Sequence, residues 1–367
     1  MKKLILFSLL LIVASPLFSQ CNGRYDSEIF SSVTKTTVNY SDQFSDNEHK
    51  ADIYTPDGDT ETNRPLIIYM HGGSFYAGDK ADTDCVDFCE SFAKRGYVCV
   101  SINYRLVPVT QILAFLSSAA EQYEEVLKAT MDAKAAVRFF RKDAANGNTY
   151  GIDESTIFIG GYSAGGVTAI HLAYLDSISD LPTSPVNVQN MITNMGGIEG
   201  DAGNDGYSSQ VSGVISFAGG IHDLNWIDAT DEPIVSVQGD LDDVVNFNCG
   251  PALNNPAVLD LCGLNAIHPI ADSLGVINNK LIFTNTGHNW GAGGNLSSDF
   301  LLALEFVKDF LYPLLPCNNA TSISNENTER KLLKIVDVLG RETDVKTNQT
   351  LFYIYSNGQV EKKIILK

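Results

Sequence analysis

The stretch that most constrains the fold is an apolar run, a glycine-rich turn and a helix-compatible run in unbroken succession. Thr156-Ile157-Phe158-Ile159 leads into Gly160-Gly161-Tyr162-Ser163-Ala164-Gly165-Gly166, and Val167-Thr168-Ala169-Ile170-His171-Leu172-Ala173 follows. The centre reads G-x-S-x-G. Between a strand and a helix, such a turn lifts a serine hydroxyl above the edge of a sheet. Glycines two before and two after the serine tolerate the strained backbone and leave room for neighbouring elements. The bare pattern is weak, so its meaning depends on whether other segments supply partners in a workable order.

Those segments are present. Val33 to Tyr40 and His49 to Tyr54 read as an antiparallel edge pair joined by a polar turn. Pro65 to Met70, Tyr97 to Ile102, Thr156 to Ile159, Val211 to Phe217, Pro233 to Val237 and Lys280 to Thr284 are short apolar runs. Helical spacing separates them, in Asp82 to Lys94, in Tyr123 through Phe140 and in Phe300 to Leu311. Apolar strands alternating with helices predict an α/β class with a mostly parallel, eight-stranded sheet flanked by helices. Asp176 to Gln210 is a Gly/Asn/Ser-rich insert with little periodicity, expected to help shape a pocket. Residues 317–327 turn polar and read as a linker, and 328–367 return to short alternating strands, a small C-terminal β appendage.

A net charge of −19 argues against nucleic acid or an anionic membrane as partner, since both need basic patches. Met1-Lys2-Lys3 and the apolar Leu4 to Phe18 have the form of a signal peptide over residues 1–20, too short for a stable membrane span. Residues 21–316 are then the main domain. Cys21 follows Phe18-Ser19-Gln20, a poor lipobox because Gln20 replaces a small residue. An exported chain permits disulfides. Among seven cysteines, Cys249 and Cys262 make the expected local pair, Cys85 and Cys89 stand four apart on a helix, and Cys99 reads as a core thiol. The odd total leaves at least one unpaired within the chain.

A serine hydroxyl needs a base, and the base needs a carboxylate to fix its tautomer. Of the six histidines, His288 in Thr286-Gly287-His288-Asn289-Trp290 follows the last strand, where a loop can swing it over Ser163. His49 reads as edge strand, His171 as helix, and His222 and His268 as polar loops. For the acid, Gln238-Gly239-Asp240-Leu241-Asp242-Asp243-Val244-Val245 follows the seventh strand. Asp242 is favoured by its offset from the glycine, with Asp243 and Asp240 as alternatives. Backbone donors for an oxyanion are available at Gly72 and Gly73 in His71-Gly72-Gly73-Ser74, and at Ala164. No cofactor or metal is expected. Asp201 to Gly206 has a faint calcium-loop look, but Gly203 and Ser212 stand where ligands belong, so a turn is the reading. Phe75 and Trp290 adjoin these loops and are candidate substrate-binding aromatics, with Trp226 and Tyr76 further possibilities.

Taken together, His71-Gly72-Gly73, Asn103-Tyr104-Arg105-Leu106, Gly161-Tyr162-Ser163-Ala164-Gly165-Gly166 and Gly287-His288 resemble the α/β-hydrolase superfamily over residues 65–312. The likeness is to the HGG-bearing esterase/lipase group, including feruloyl- and acetyl-esterase-like enzymes. With the leader and the loop aromatics, it gives the expectation of a secreted serine carboxylesterase with Ser163, Asp242 and His288 as its triad and a small-molecule or polysaccharide ester as substrate. Ser74 departs from the usual third glycine, which should move or weaken one oxyanion donor. Gln238 replaces a frequent histidine, with no effect expected on the chemistry. Prolyl-oligopeptidase-like peptidases share the triad order, but usually carry Tyr where Ala164 stands, and add a propeller. An inactive binding module is disfavoured because each triad position is filled. Residues 328–367 resemble the C-terminal sorting signal of type IX secretion, which implies that machinery as partner and passage across the outer membrane.

Overall fold

The structure is a computed structural model that describes residues 21, 23–319, 332–336, 341, 343–345, 350–355 and 360–364. The leader at 1–20 and the turn Asn357-Gly358 lie outside the described residues. Two compact units are formed, Met1–Asn318 and Asn319–Lys367.

In the first unit, β1 (Val33–Asn39), β2 (Lys50–Pro56) and β3 (Arg64–Met70) precede helix α1 (Thr83–Lys94) and strand β4 (Val98–Ile102). A short helix α2 (Ile112–Phe115) and the long α3 (Ala119–Ala145) lead to β5 (Ile152–Tyr162) and α4 (Ala164–Tyr174). After α5 (Val188–Asn194) come β6 (Gly213–Phe217) and β7 (Ile234–Gly239). The small hairpin β8 (Cys249–Pro251) and β9 (Asp260–Cys262) then precedes α6 (Leu264–Leu274), β10 (Asn278–Phe283) and α7 (Ser298–Leu311). The main sheet has eight strands in the order β1-β2-β4-β3-β5-β6-β7-β10. β1, β2 and β4 pair antiparallel, and the remaining pairs are parallel.

The period of two in a strand explains why the sheet is apolar on both faces. Leu66, Ile68 and Met70 of β3 enter a core shared with α3 and α4, whereas Ile67 and Tyr69 enter the opposite core with α1 and α7. β3 is buried at all seven positions. Crossing from β3 to β5 brings the loop after Met70 beside the turn after Tyr162, because Met70 pairs with Gly161.

His49 stands in the turn before β2 rather than in the strand, buried with its ring nitrogens on Asp46 (2.7 Å) and Asp132 (3.3 Å). His268 is buried in α6, not on a loop. Disulfides join Cys249 to Cys262 and Cys21 to Cys317, while Cys85, Cys89 and Cys99 are free and buried. With its sulfur bonded to Cys317, Cys21 has no thiol left for lipid attachment. The Asp201 carboxylate is spent on Arg105 at 2.9 Å, and Arg138 donates to the Gly203 carbonyl, so this stretch is a pinned turn.

The second unit contains a three-stranded antiparallel sheet of β11 (Leu332–Val336), β12 (Thr350–Tyr355) and β13 (Val360–Ile364), with β12 central.

Candidate active site

Ser163 follows β5 at the N-cap position of α4 with φ 54° and ψ −117°, outside the regions a side chain normally occupies. Such a conformation costs on the order of 1–3 kcal/mol and persists only where its surroundings enforce it. Here the Ser163 N–H donates to the Phe217 carbonyl of β6 at 2.7 Å. The two motif glycines permit the close approach. A Cβ at Gly165 would sit 2.2 Å from the Met70 carbonyl oxygen, and one at Gly161 would sit 2.5 Å from the Gly165 backbone.

The loop after β10 carries His288 over this turn. Ser163 Oγ lies 2.7 Å from His288 Nε2, and His288 Nδ1 lies 2.8 and 2.9 Å from the two Asp242 oxygens. All three residues are buried, with Ser163 6% and His288 8% exposed. Of the competing carboxylates, Asp243 is exposed and Asp240 faces the Thr286 N–H at 3.4 Å. Asp242 itself is held by the Val244 and Val245 N–H groups, both at 3.0 Å on Oδ1. Gln238 Nε2 adds a third donor at 3.2 Å to Oδ2. Gln238 is therefore not indifferent to the site: its amide bonds the acid directly, while its Oε1 accepts from Leu264 N–H at 2.9 Å. The signal is a glutamine near the end of a fully buried strand.

The loop after β3 passes on the other side of Ser163. A Cβ on Gly72 would stand 3.3 Å from the Ser163 Cβ, so a larger residue there would crowd the hydroxyl. Gly73, Ser74 and Phe75 follow with φ of 111°, 54° and 66°. Among the described residues, the N–H groups of Gly72, Gly73 and Ala164 make no hydrogen bond within the protein. Ala164 is the first residue of α4, where N–H groups are unsatisfied and the helix end is positive. His71 orders this loop. Its Nδ1 donates to the Gly72 carbonyl at 2.6 Å, and its ring stacks on Tyr104 at 4.4 Å. Burial pushes the His71 pKa down, which keeps the ring neutral. Because C=O and N–H point oppositely across a trans peptide, pinning the Gly72 carbonyl aims the Gly73 N–H the other way.

Ser163 opens into a mostly apolar cavity. Phe75 lines it, as does Trp226, whose indole N–H donates to the Asp180 carbonyl at 3.2 Å. Trp290 does not line it. Although two residues from His288, it is 6% exposed within the opposite core, with ring centroids 5.0–5.3 Å from Phe283, Phe217 and Tyr162. The expectation for Trp290 is thus corrected: its ring packs against side chains of β10, β6 and β5. The insert Asp176 to Gln210 contributes Leu181 to the lining, whereas Val244 to Leu261 supply a whole wall. That wall includes Leu253, Val258 and Leu259, apolar residues in a Pro/Asn-rich loop braced by the Cys249–Cys262 disulfide. Helix α3 adds Tyr123, Val126 and Leu127. Among the described residues, one trio of carboxylates, Asp176, Asp228 and Asp231, lies close enough to share an ion; none of the three lines this cavity.

Comparison with known proteins bears on the fold that carries this site. The family profile described as BD-FAE matches residues 51–219, just under half of the chain. A Bacillus subtilis para-nitrobenzyl esterase is 30% identical over 129 residues, 35% of this chain and 25% of the relative. A 3-O-acetylpapaveroxine carboxylesterase of Papaver somniferum is 33% identical over 129 residues, 35% of this chain and 38% of the relative. The chain thus spans between a quarter and two-fifths of these curated relatives. Among solved structures, a truncated carbohydrate esterase from gut microbiota superposes with a TM-score of 0.55 at 20% identity, over 78% of this chain and 97% of that one. Thermogutta terrifontis esterase 2 in its apo form gives 0.55 at 20% identity, over 76% and 94%. The architecture is the α/β-hydrolase fold.

Proposed function

We propose that this chain is a serine carboxylesterase that cleaves carboxylic esters through an acyl-enzyme. The observation that carries the reading is the hydrogen-bonded series Ser163–His288–Asp242 at the mouth of an apolar cavity. Ser163 Oγ attacks the ester carbonyl while His288 Nε2 takes its proton. Asp242 holds His288 in the tautomer with hydrogen on Nδ1 and stabilises the imidazolium. The N–H groups of Gly72, Gly73 and Ala164 receive the oxyanion, each worth on the order of 10²–10³ in rate. His288 then protonates the leaving alcohol, and water attacks the acyl-enzyme by the same route in reverse. The esterase names of the matched relatives support the reaction class.

The reading extends to acetyl or feruloyl esters of polysaccharides and to export by type IX secretion. A carbohydrate esterase among the structural neighbours supports the first, and two disulfides, which need an oxidising compartment, support export; the type IX route rests on the likeness of residues 328–367 to a sorting signal.

The decisive experiment compares p-nitrophenyl acetate with a proline-amide substrate, and the chain with Ser163→Ala. Ester turnover that vanishes in Ser163→Ala is expected. Amide turnover without ester turnover, or full ester turnover by Ser163→Ala, overturns the proposal. Paraoxon, which phosphorylates Thermogutta terrifontis esterase 2, should label Ser163 and nothing in the alanine variant.

A further inference from the structure

The loop that carries Gly72 and Gly73 is braced by residues 103–107, which follow β4. Tyr104 Oη donates to the His71 carbonyl at 2.8 Å, the Val107 N–H to the Phe75 carbonyl at 2.8 Å, and the Lys80 N–H to Asn103 Oδ1 at 2.6 Å. That brace is itself held from α3. Asp132, fully buried, accepts the Arg105 N–H at 2.8 Å and the Arg105 guanidinium at 2.7–3.0 Å.

Asp132 also meets His49, and the hydrogen bonds there fix a charge. His49 Nε2 lies 3.3 Å from Asp132 Oδ1, and Nδ1 lies 2.7 Å from Asp46 Oδ1. An ionised carboxylate only accepts, so bonding both requires a proton on each ring nitrogen. A neutral ring has one, and would set a lone pair against a carboxylate. His49 is 1% exposed, so bulk water cannot relieve that repulsion. The ring is therefore an imidazolium, with Asp132 between it and Arg105. Burial pulls its pKa down, but Asp132 and then Asp46 outweigh burial and raise it above the ordinary 6.5. Phe44 stacks on the ring at 4.7 Å and Tyr40 meets it at 5.6 Å, its phenol kept protonated by burial and the Asp132 charge. Glu48 adds a further nearby carboxylate, and Arg105 is shared with Asp201 at 2.9 Å.

We propose that His49 is a positioning residue for the oxyanion loop: as an imidazolium it holds Asp132, Asp132 holds Arg105 and so Tyr104, and loss of its proton loosens the loop and sets an alkaline limit on ester hydrolysis. The proposal rests on the carboxylesterase reading for the reaction it tunes. The contact to Asp132 is the longer of the two, so Nε2 is the nitrogen that gives up its proton. Asp132 then faces a lone pair in a buried site and shifts, taking the Arg105 N–H with it. Because the charged form is the bonded one, the loop is held at low pH and released as pH rises through the raised value.

Nitrogen-15 spectra of the histidine-labelled chain test the charge without turnover, with His49→Gln assigning the signal. Both His49 nitrogens are expected to carry protons at neutral pH, and the His71 ring signals to move along the His49 titration. A neutral His49 at neutral pH, or His71 signals indifferent to its titration, overturns the proposal. With p-nitrophenyl acetate, kcat should fall about tenfold across the same interval at nearly constant KM, a part of the 10²–10³ that one oxyanion donor is worth. His49→Gln has no proton to lose, so its kcat should be low and lack that fall. Asp46→Asn alters a half-exposed side chain and removes one of the charges that hold the proton, so the fall should move to lower pH. No alkaline fall in the unaltered chain, its persistence in His49→Gln, or an unmoved fall in Asp46→Asn each overturns the positioning role. Absence of turnover at every pH overturns the esterase reading instead, and the His49 and His71 signals then decide whether the charged ring is coupled to the loop.

Discussion

Tyr162 Oη donates to the backbone carbonyl of His288 at 2.5 Å, so the residue next to the serine in sequence holds the loop that carries the histidine. The same oxygen accepts from the Gly291 N–H at 3.1 Å, and the ring meets the His288 imidazole edge-on at 5.9 Å. The Ser163–His288 distance thus depends on a hydroxyl that takes no part in the proposed proton transfer. Tyr162→Phe would leave a buried carbonyl and a buried N–H unpaired, a cost of about 1–3 kcal/mol. Expected is a fall of about tenfold in kcat with KM nearly unchanged, together with a lower melting temperature. Steady-state kinetics decide; an unaltered kcat would mean that the loop is positioned by other contacts.

Gln238 couples three segments, through Asp242 Oδ2, the Val245 carbonyl at 2.7 Å and the Leu264 N–H. Gln238→Leu keeps the volume and removes every one of these bonds. A stability loss of roughly 1–3 kcal/mol is expected, with a decrease in kcat because Asp242 loses one of its donors. Gln238→Glu should act differently, placing a second carboxylate beside Asp242 and moving the acid limb of the pH–rate profile. Urea unfolding and pH–rate curves separate the two effects.

Asp84, near the start of α1, is buried, and among the described residues its Oδ2 has no partner. Burial, and then repulsion from Asp82, push its pKa up to about 7 from 3.8. A carboxyl whose folded pKa lies above its unfolded one favours folding at low pH and loses that contribution as pH rises toward the folded value. The cost above that value is at most roughly 4 kcal/mol. Asp84→Asn should therefore raise the melting temperature at about pH 8.5 and leave it nearly unchanged at about pH 4. A uniform shift at both pH values would show that the carboxyl is not protonated in the folded chain.

The Cys21–Cys317 bond closes a loop with a sequence separation of 296. By loop-closure entropy, its removal should cost up to about 5 kcal/mol. Cys21→Ser and Cys317→Ser are expected to lower the unfolding midpoint equally, and reductant, which also opens Cys249–Cys262, should lower that of the unaltered chain at least as far. A midpoint insensitive to both substitutions would place the bond's ends in a region that is already locally unfolded.

Some of the site was legible because chain order restricts geometry. A histidine in the loop after the last strand and an aspartate after the seventh can reach a serine after the fifth, since parallel strands bring all those ends to one edge. His288 and Asp242 fall out of that rule. Trp290 does not, because residues two apart on an irregular loop need not face the same way, and its indole turns into the core. The cavity wall from Val244 to Leu261 was hidden for a related reason. Its apolar residues are scattered among Pro and Asn, so no periodicity marks them, and the Cys249–Cys262 bond brings the hairpin's ends together.

The sequence by itself determined the alternation of buried strands and helices, the sharp turn at Ser163 and the order of its partners. These are local or topological properties, set by apolar periodicity and by glycines that no side chain could replace. The tertiary structure decided the rest. It selected Asp242 over Asp243 by burial and by three donors, enlisted Gln238 and Tyr162 as supports, and turned Tyr123, His171 and His222 toward one cavity. Each of these depends on which face a side chain presents after packing, and on which distant groups it then meets. Neither is encoded in the spacing of residues along the chain.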